Sequence, residues 1–203
     1  MSPKTAVLLI DPLNEFLHPD GKLYARLKES LEATDTIKNM HAVIKTARSA
    51  KIPIFYCQHQ LIEDGQLANW NHKSKSHLTI QKIGSFRVGS FGAQIYQEME
   101  PDRSNGDVVV SRHWNSSSFA NTDLDFQLRQ QDITHVICVG MVANTCLEST
   151  ARYAVELGYH VTILSDATAG FSVQLKDVAE KIIWPTIVDQ VISVDEWAAS
   201  LAQ

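Results

Sequence analysis

The chain is poor in cysteine, which narrows the classes of protein it can represent. Its 203 residues include three cysteines, Cys57, Cys138 and Cys146, which lie far apart and without Cys-x-x-Cys spacing. An odd number of widely spaced cysteines favours neither a disulfide framework nor a zinc-binding module. We therefore expect reduced thiols and a cytoplasmic location.

Long apolar runs and positive charge are also scarce. The apolar part of the N-terminus is too short for a signal peptide, and no run reaches the roughly 18 residues of a membrane span. The formal net charge is −5, and the 18 basic residues are scattered. This balance argues against nucleic acid or a membrane surface as a partner, so a small-molecule substrate is expected.

The composition is that of a folded globular protein, with 44% hydrophobic and 20% charged residues. The chain shows no internal repeat, low-complexity segment or linker. We therefore predict a single domain over residues 1–203.

Apolar runs typical of buried strands alternate with segments of helical periodicity. Strands are predicted at 5–10, 52–58, 107–111, 136–139, 160–164 and 190–194, and helices at 24–50 with a break near 34–35, 90–99, 121–131, 147–158, 173–184 and 196–202. This alternation predicts a three-layer, doubly wound α/β fold with a mainly parallel sheet and helices on both faces. The first strand is followed by DPLNEF rather than a glycine-rich turn, so no dinucleotide cofactor is predicted.

Polar side chains follow three of the predicted strands. Asp11 follows the first strand, Arg112 and His113 the third, and Cys146 the fourth. In open α/β sheets the carboxyl ends of the strands open onto one crevice, which would bring these residues together. Cys146 lies at the first predicted turn of a helix, where free N–H groups and partial positive charge stabilise a thiolate and an oxyanion.

Each of these residues alone also has a simpler explanation. Cys146 could be a packed core residue, as cysteines often are, and Asp11 could cap the next turn. Asn144 or Thr145 could cap the helix that carries the thiol. Together, however, a carboxylate, a cation and a thiol at a helix start support covalent hydrolysis, in which the carboxylate takes the thiol proton.

Three blocks, AVLLIDPLNEF, SSSFANTDLDFQLR and VGMVANTCLESTARYAVELGYHVTILSDATAGF, resemble the isochorismatase-like cysteine hydrolases. This family includes nicotinamidases, carbamoylsarcosine amidohydrolases and ureidoacrylate-type amidases. The resemblance implies that Asp11 is the catalytic base and Cys146 the nucleophile. It also implies a cis peptide between Val142 and Ala143, oxyanion contacts from the N–H groups of Ala143 and Cys146, and a homo-oligomer, either a dimer or a tetramer.

Two departures from the family pattern bear on the chemistry. The family's catalytic lysine at the end of the third strand is missing from VVVSRHW, where Arg112 is the natural match and His113 stands next to it. Arginine stays cationic but does not readily exchange a proton. Metal-dependent nicotinamidases carry an Asp-x-His and a further histidine after the second strand, whereas YCQHQ has His59 alone. We therefore predict no metal, and nicotinamide is not the expected substrate.

The segments that flank the crevice supply the expected pocket wall. The predicted substrate-binding residues are Asn14, Phe16, Trp70, His113, Trp114, Phe119 and Phe171. Residues 59–89 have little periodicity and are predicted to form a long loop or lid over the site. His72 and His77 in this loop are predicted to face solvent or substrate rather than a metal ion.

The leading hypothesis is a hydrolase that cleaves a C–N bond in a small amide or ureido compound through a Cys146 thioester. A vinyl-ether hydrolase of the isochorismatase type is the alternative among enzymes, although some members of that branch act without the cysteine. A catalytically silent binding protein that keeps the pocket is the alternative from another class, and the missing lysine favours it.

Overall fold

The strands of the computed structural model, which describes residues 4–201 of the chain, form a single sheet. They are β1 (Thr5–Ile10), β2 (Ile54–Cys57), β3 (Val108–Val109), β4 (His135–Met141), β5 (His160–Ala169) and β6 (Gln190–Ile192). Their order across the sheet is β3-β2-β1-β4-β5-β6, and every neighbouring pair is parallel. The strand order reverses between β1 and β4, which is where ligands bind in folds of this kind.

Helices cover both faces of the sheet. They are α1 (Asn14–Leu17), α2 (Tyr24–Ala33), α3 (Thr36–Ser49), α4 (Lys75–Ile83), α5 (Leu124–Gln130), α6 (Glu148–Glu156), α7 (Val173–Val178) and α8 (Val194–Ser200). One apolar core includes Leu27, Met40 and Trp197 from α2, α3 and α8, and the other includes Leu128 and Ala151 from α5 and α6. The predicted three-layer α/β fold is confirmed. None of the described helices is long and apolar enough to cross a membrane.

The predicted helical stretch 24–50 divides where the sequence indicated, because α2 ends at Ala33 and α3 begins at Thr36. The predicted helix 90–99 is wrong, since this segment contains only a 3-10 turn at Phe91–Ala93. Beyond that turn the chain runs extended against the segment after β1, where Ile95 forms an antiparallel bridge with Leu13. A tertiary contact thus overrides the local helical pattern.

The predicted long loop 59–89 contains a helix, α4. Ser74 caps it by accepting a 3.2 Å hydrogen bond from the backbone N–H of His77. The His77 ring accepts from the Ser74 N–H and lies 3.0 Å from the carbonyl oxygen of Trp114. His77 is therefore a buried structural residue, contrary to the expectation that it faces solvent or substrate, whereas His72 is exposed.

Other boundaries shift by a few residues. β5 continues to Ala169 rather than ending at Leu164, because its pairing with β4 resumes after a register shift between Cys138 and Gly140. The predicted strand 107–111 shortens to two residues, and α8 is capped by Ser193 rather than Asp195.

Candidate active site

Asp11 lies at the point where the strand order reverses. It follows β1 directly, and its N–H donates a 2.7 Å hydrogen bond to the carbonyl oxygen of Cys57 at the end of β2. Its side chain is completely buried, and one carboxylate oxygen, Oδ1, accepts a 2.6 Å hydrogen bond from the His59 N–H. A buried carboxylate therefore stands at the floor of the crevice between β1 and β4.

Gly140 allows the two central strands to approach closely beside this carboxylate. Its φ is +110°, and a Cβ at this position would lie 2.0 Å from the carbonyl oxygen of Ile10. An alanine would clash with backbone and would also adopt an unfavourable conformation. Glycine at this position thus sets how β4 packs against the last residue before Asp11.

His113 is carried to Asp11 by parallel pairing that continues beyond β2 and β3. The His113 N–H donates to Gln58 at 3.0 Å, and the Gln60 N–H donates to His113 at 2.8 Å. This register places His113 Nε2 3.2 Å from Asp11 Oδ1, and both side chains are buried. His113 Nδ1 lies 2.6 Å from the carbonyl oxygen of Asn115, so Nδ1 carries a proton.

The charges of Asp11 and His113 stabilise each other. Burial by itself raises the pKa of Asp11, but the charge and hydrogen bond of His113 outweigh it and hold that pKa below its usual value. Burial by itself lowers the pKa of His113, but Asp11 outweighs it and raises the pKa above the ordinary histidine value. Both directions favour a carboxylate paired with an imidazolium.

Arg112 does not make this contact. Its guanidinium donates a 2.9 Å hydrogen bond to the carbonyl oxygen of His59. Consecutive side chains of an extended chain point in opposite directions, and His113 is the one that contacts Asp11, although the Asp11 charge also acts on Arg112 and opposes the lowering of its pKa by burial. The interpretation of Arg112 as the cation beside Asp11 is therefore corrected, and His113 is the basic residue in contact with the carboxylate.

Cys146 follows β4 and faces the same crevice. A cis peptide joins Met141 to Val142, so the prediction that placed it between Val142 and Ala143 is wrong by one residue. The chain then forms a π-type turn, Ala143–Leu147, before α6 begins at Glu148. Cys146 lies in this turn. The amide groups of Thr145 and Leu147 donate to the Val142 carbonyl oxygen, and the structure shows no side-chain cap from Asn144 or Thr145.

The three reactive groups lie close together. An Asp11 carboxylate oxygen, a His113 ring nitrogen and the Cys146 sulfur are all within 4.8 Å of one another. Burial, together with the negative charge of Asp11, raises the pKa of Cys146 well above the usual thiol value. Cys146 therefore depends on a neighbouring base to become a nucleophile, as the predicted transfer of its proton to a carboxylate requires.

Cys146 lines a cavity of about 260 Å³. Two of the residues predicted to line it, Phe16 and Phe171, do so. The other lining residues are Leu23, Arg26, His59, Lys75, Ser76, Thr79, Ile80, Ile83, Ser85, Phe86, Asn115, Ser116, Val142, Thr145 and Cys146. The wall is mostly apolar, with cationic groups from α2 and α4.

The remaining predicted wall residues lie elsewhere, and His113, which contacts Asp11, is not among the lining residues. The Asn14 side chain donates to the carbonyl oxygen of Phe91 at 3.2 Å. The rings of Trp70 and Trp114 pack on each other, with centroids 5.2 Å apart, outside the cavity lining. Phe119 belongs to the core on the opposite face of the sheet, where it stacks on Tyr153.

Sequence reasoning missed two notable wall residues, Arg26 and Phe86. The Arg26 guanidinium lies 4.3 Å above the ring of Phe171, which holds a cation at the cavity wall. Phe86 stacks on His59 with ring centroids 4.4 Å apart, and its N–H donates to the buried carboxylate of Glu15. No sequence pattern indicates that Arg26 lies at the cavity wall, because a charged residue on a helix usually belongs to the solvent-exposed face.

The chain is similar to known proteins over most of its length. The family model described as Isochorismatase domain matches residues 5–190. The ureidoacrylate amidohydrolase RutB of Serratia proteamaculans is 30% identical over 210 residues, spanning 98% of this chain and 83% of that protein. A second RutB, from Caulobacter segnis, is 31% identical over 180 residues, spanning 83% of this chain and 74% of that protein.

Solved structures show the same fold. A cysteine hydrolase from Pseudomonas syringae pv. phaseolicola has a TM-score of 0.81 and 25% identity, covering 98% of this chain and 92% of that one. N-carbamoylsarcosine amidase from Thermoplasma acidophilum has a TM-score of 0.68 and 25% identity, covering 95% of this chain and 97% of that one. With the family model matched over nearly the whole length, the chain belongs to the isochorismatase family and is an isochorismatase-like hydrolase.

Proposed function

We propose that the protein hydrolyses a C–N bond in a small amide or ureido compound, with Cys146 as nucleophile. The observation that carries the proposal is the cluster of Asp11, His113 and Cys146, whose reactive atoms lie within 4.8 Å of one another beside a cavity. Relatives named ureidoacrylate amidohydrolase and N-carbamoylsarcosine amidase support the choice of a C–N bond.

In the first half of the reaction, Asp11 removes the thiol proton and the Cys146 sulfur attacks the substrate carbonyl carbon. The oxyanion is received by the N–H groups of Ala143 and Cys146 in the turn after β4. When the intermediate collapses, the C–N bond breaks, the nitrogen leaves with the proton held by Asp11, and a thioester remains.

In the second half, Asp11 removes a proton from a water molecule, which attacks the thioester carbon. The C–S bond breaks, the acid product leaves, and the sulfur recovers a proton from Asp11. One water is consumed, and the protein returns to its starting state. The same carboxylate thus acts as base and as acid in each half.

His113 occupies the place of the family lysine in this scheme. As an imidazolium 3.2 Å from Asp11, it keeps the carboxylate ionised in a buried site and offsets the charge of the thiolate. Because Nδ1 is bonded to the Asn115 carbonyl oxygen, Nε2 is the ring nitrogen that faces the reactive groups. We propose Arg112 as a positioning residue that holds the His59 segment against Asp11.

The cavity indicates the substrate's shape and charge. About 260 Å³ lined by Phe16, Phe86 and Phe171 suits a small planar acyl or ureido group. Arg26 at the wall can form charge-assisted hydrogen bonds with a carboxylate. We therefore propose a substrate that carries an acid group at the end remote from the scissile bond.

A panel of primary amides, ureido acids and N-carbamoyl amino acids tests this function through release of ammonia or amine. We expect turnover of at least one acidic member by the wild-type protein. Cys146→Ala should lower kcat/KM by at least about a thousandfold, and Asp11→Asn and His113→Ala by at least about a hundredfold. Arg26→Ala should chiefly raise KM for acidic members and leave neutral amides unaffected.

Turnover that survives in Cys146→Ala would contradict the thioester route and favour a cysteine-independent, vinyl-ether type of hydrolysis. Tight binding of panel members without any turnover would instead support a silent binding protein. The homo-oligomeric state and the cytoplasmic location inferred from the sequence stay predictions.

A further inference from the structure

The cluster of Asp11, His113 and Cys146 has the composition of a metal site as well as that of a catalytic site. It offers one carboxylate oxygen, one imidazole nitrogen and one sulfur, all within 4.8 Å of one another. Asp11 and His113 are 0% and 1% exposed, while Cys146 is 9% exposed and borders the cavity. The three donors are thus shielded from bulk water but reachable from one side.

Bonds to the surrounding backbone hold two of these donors in position. His113 Nδ1 donates to the carbonyl oxygen of Asn115, which directs the other ring nitrogen, Nε2, toward Asp11. Asp11 Oδ1 accepts from the His59 N–H at 2.6 Å. Metal-binding histidines in proteins typically donate their second ring N–H to a carbonyl or carboxylate in this way.

The second oxygen of the Asp11 carboxylate can accept a further interaction. Asp11 Oδ2 is buried and, apart from the Cys146 thiol that interacts with this carboxylate, has no hydrogen-bond partner among the described residues. A buried acceptor without a partner is unfavourable, and more so when it is charged. A cation bound between the three side chains would satisfy this oxygen.

We propose that this cluster binds Zn²⁺, or a divalent cation of similar preference, through the thiolate of Cys146, the imidazole of His113 and the carboxylate of Asp11. Three protein ligands and one position open to a cavity are the pattern of an accessible zinc site. Sulfur and imidazole ligands disfavour Mg²⁺ and Ca²⁺, which prefer oxygen. Ligand bonds of about 2.0–2.3 Å require the donors to draw together slightly.

Binding is a ligand exchange with a defined proton balance. The Cys146 thiol gives up its proton, and an imidazolium at His113 gives up the proton on Nε2, both to solvent. No electron is transferred. A thiolate bound to the cation is no longer free to attack a carbonyl, so the metal is an inhibitor of the proposed hydrolysis, relieved by chelators.

The imidazole of His113 is the group that makes metal binding possible at this cluster. A lysine at position 113 would supply a charge that repels a cation and remains protonated at neutral pH. His113→Lys therefore separates the two roles of the residue, because it keeps a cation beside Asp11 but removes the nitrogen ligand.

Anaerobic titration of the chelator-treated, full-length protein with Co²⁺ tests the site, because cobalt bound to a thiolate gives a sulfur-to-metal absorption band. We expect one Co²⁺ per chain, displacement by Zn²⁺, and loss of the band in Cys146→Ser. His113→Lys should weaken Co²⁺ binding at least about tenfold, because even the loss of a residue that only supports a metal ligand lowers metal affinity by about 10–100-fold. The exposed His72→Ala is the matched control and should bind like wild type.

Absence of a sulfur-to-cobalt band at millimolar Co²⁺ would overturn the proposal, as would a band that persists in Cys146→Ser. Circular dichroism of each variant confirms that weak binding does not reflect unfolding. The readout needs no substrate, so it is independent of the proposed function: a protein that binds Co²⁺ but turns over no amide would refute the hydrolase and leave the metal site standing.

Discussion

Replacing His113 with alanine tests the buried ion pair at the centre of the site. The change removes an imidazolium 3.2 Å from a carboxylate, and both side chains are at most 1% exposed. Removing one partner of a buried pair destabilises a protein by about 3–5 kcal/mol, because the other charge stays buried without compensation. Asp11 keeps one hydrogen bond from the His59 N–H, so we expect a loss near the lower end, about 3 kcal/mol.

Urea unfolding in the presence of a chelator measures this loss. His113→Lys should retain most of the free energy of unfolding that His113→Ala loses, because lysine places a cation beside Asp11. In an Asp11→Asn background, His113→Ala should destabilise by less than in the wild type, giving a coupling energy of about 1–3 kcal/mol. His72→Ala, on the surface, is the control and should change stability by less than about 0.5 kcal/mol.

Two results would show that His113 and Asp11 do not stabilise the protein as an ion pair. The first is a decrease in the free energy of unfolding for His113→Ala that is no greater than the decrease for His72→Ala. The second is an equal decrease in the free energy of unfolding for His113→Ala in the wild-type and Asp11→Asn backgrounds, which would show that His113 stabilises the fold by packing alone. Either result would remove the imidazolium from the proposed mechanism.

Three further predictions concern the surroundings of the site. Gly140→Ala should destabilise the protein by more than about 2 kcal/mol in urea unfolding, because φ is +110° and the new Cβ would lie 2.0 Å from a backbone oxygen; a soluble variant of wild-type stability would contradict this packing. Ser74→Ala removes the cap of α4 and should destabilise by about 1 kcal/mol, with faster hydrogen exchange confined to that helix. Burial raises the pKa of Cys138 to about 12, so this thiol should stay unalkylated in the native protein at about pH 9, and its labelling there would show that the sheet opens.

Much of the fold follows from local patterns. Continuous apolar runs located the strands, and β1 has the predicted bounds because a strand buried on both faces leaves a strong signal. The rule that parallel strands end at one edge brought Asp11 and Cys146 together correctly. The predicted helix 90–99 failed because pairing of Ile95 with Leu13, more than 80 positions earlier, is invisible to periodicity.

The details of the site depend on register, which the sequence does not encode locally. Whether Arg112 or His113 meets Asp11 is decided by how β3 pairs with β2, and a slip of one residue would exchange them. Phe119 was misplaced for a similar reason, since the chain crosses to the other face of the sheet within a few residues of His113. Arg26 reaches the wall only because α2 packs beside Phe171.

The role of Cys146 as the nucleophile is tested by the rate at which iodoacetamide alkylates each cysteine of the native protein, mapped by mass spectrometry in the presence of a chelator. We predict selective labelling of Cys146, the one thiol of the three that borders the cavity. His113→Ala should slow it at least about tenfold by removing the cation that favours the thiolate, and His113→Lys should restore it. Labelling of Cys57 or Cys138 at the same rate, or a Cys146 rate indifferent to position 113, would contradict the account.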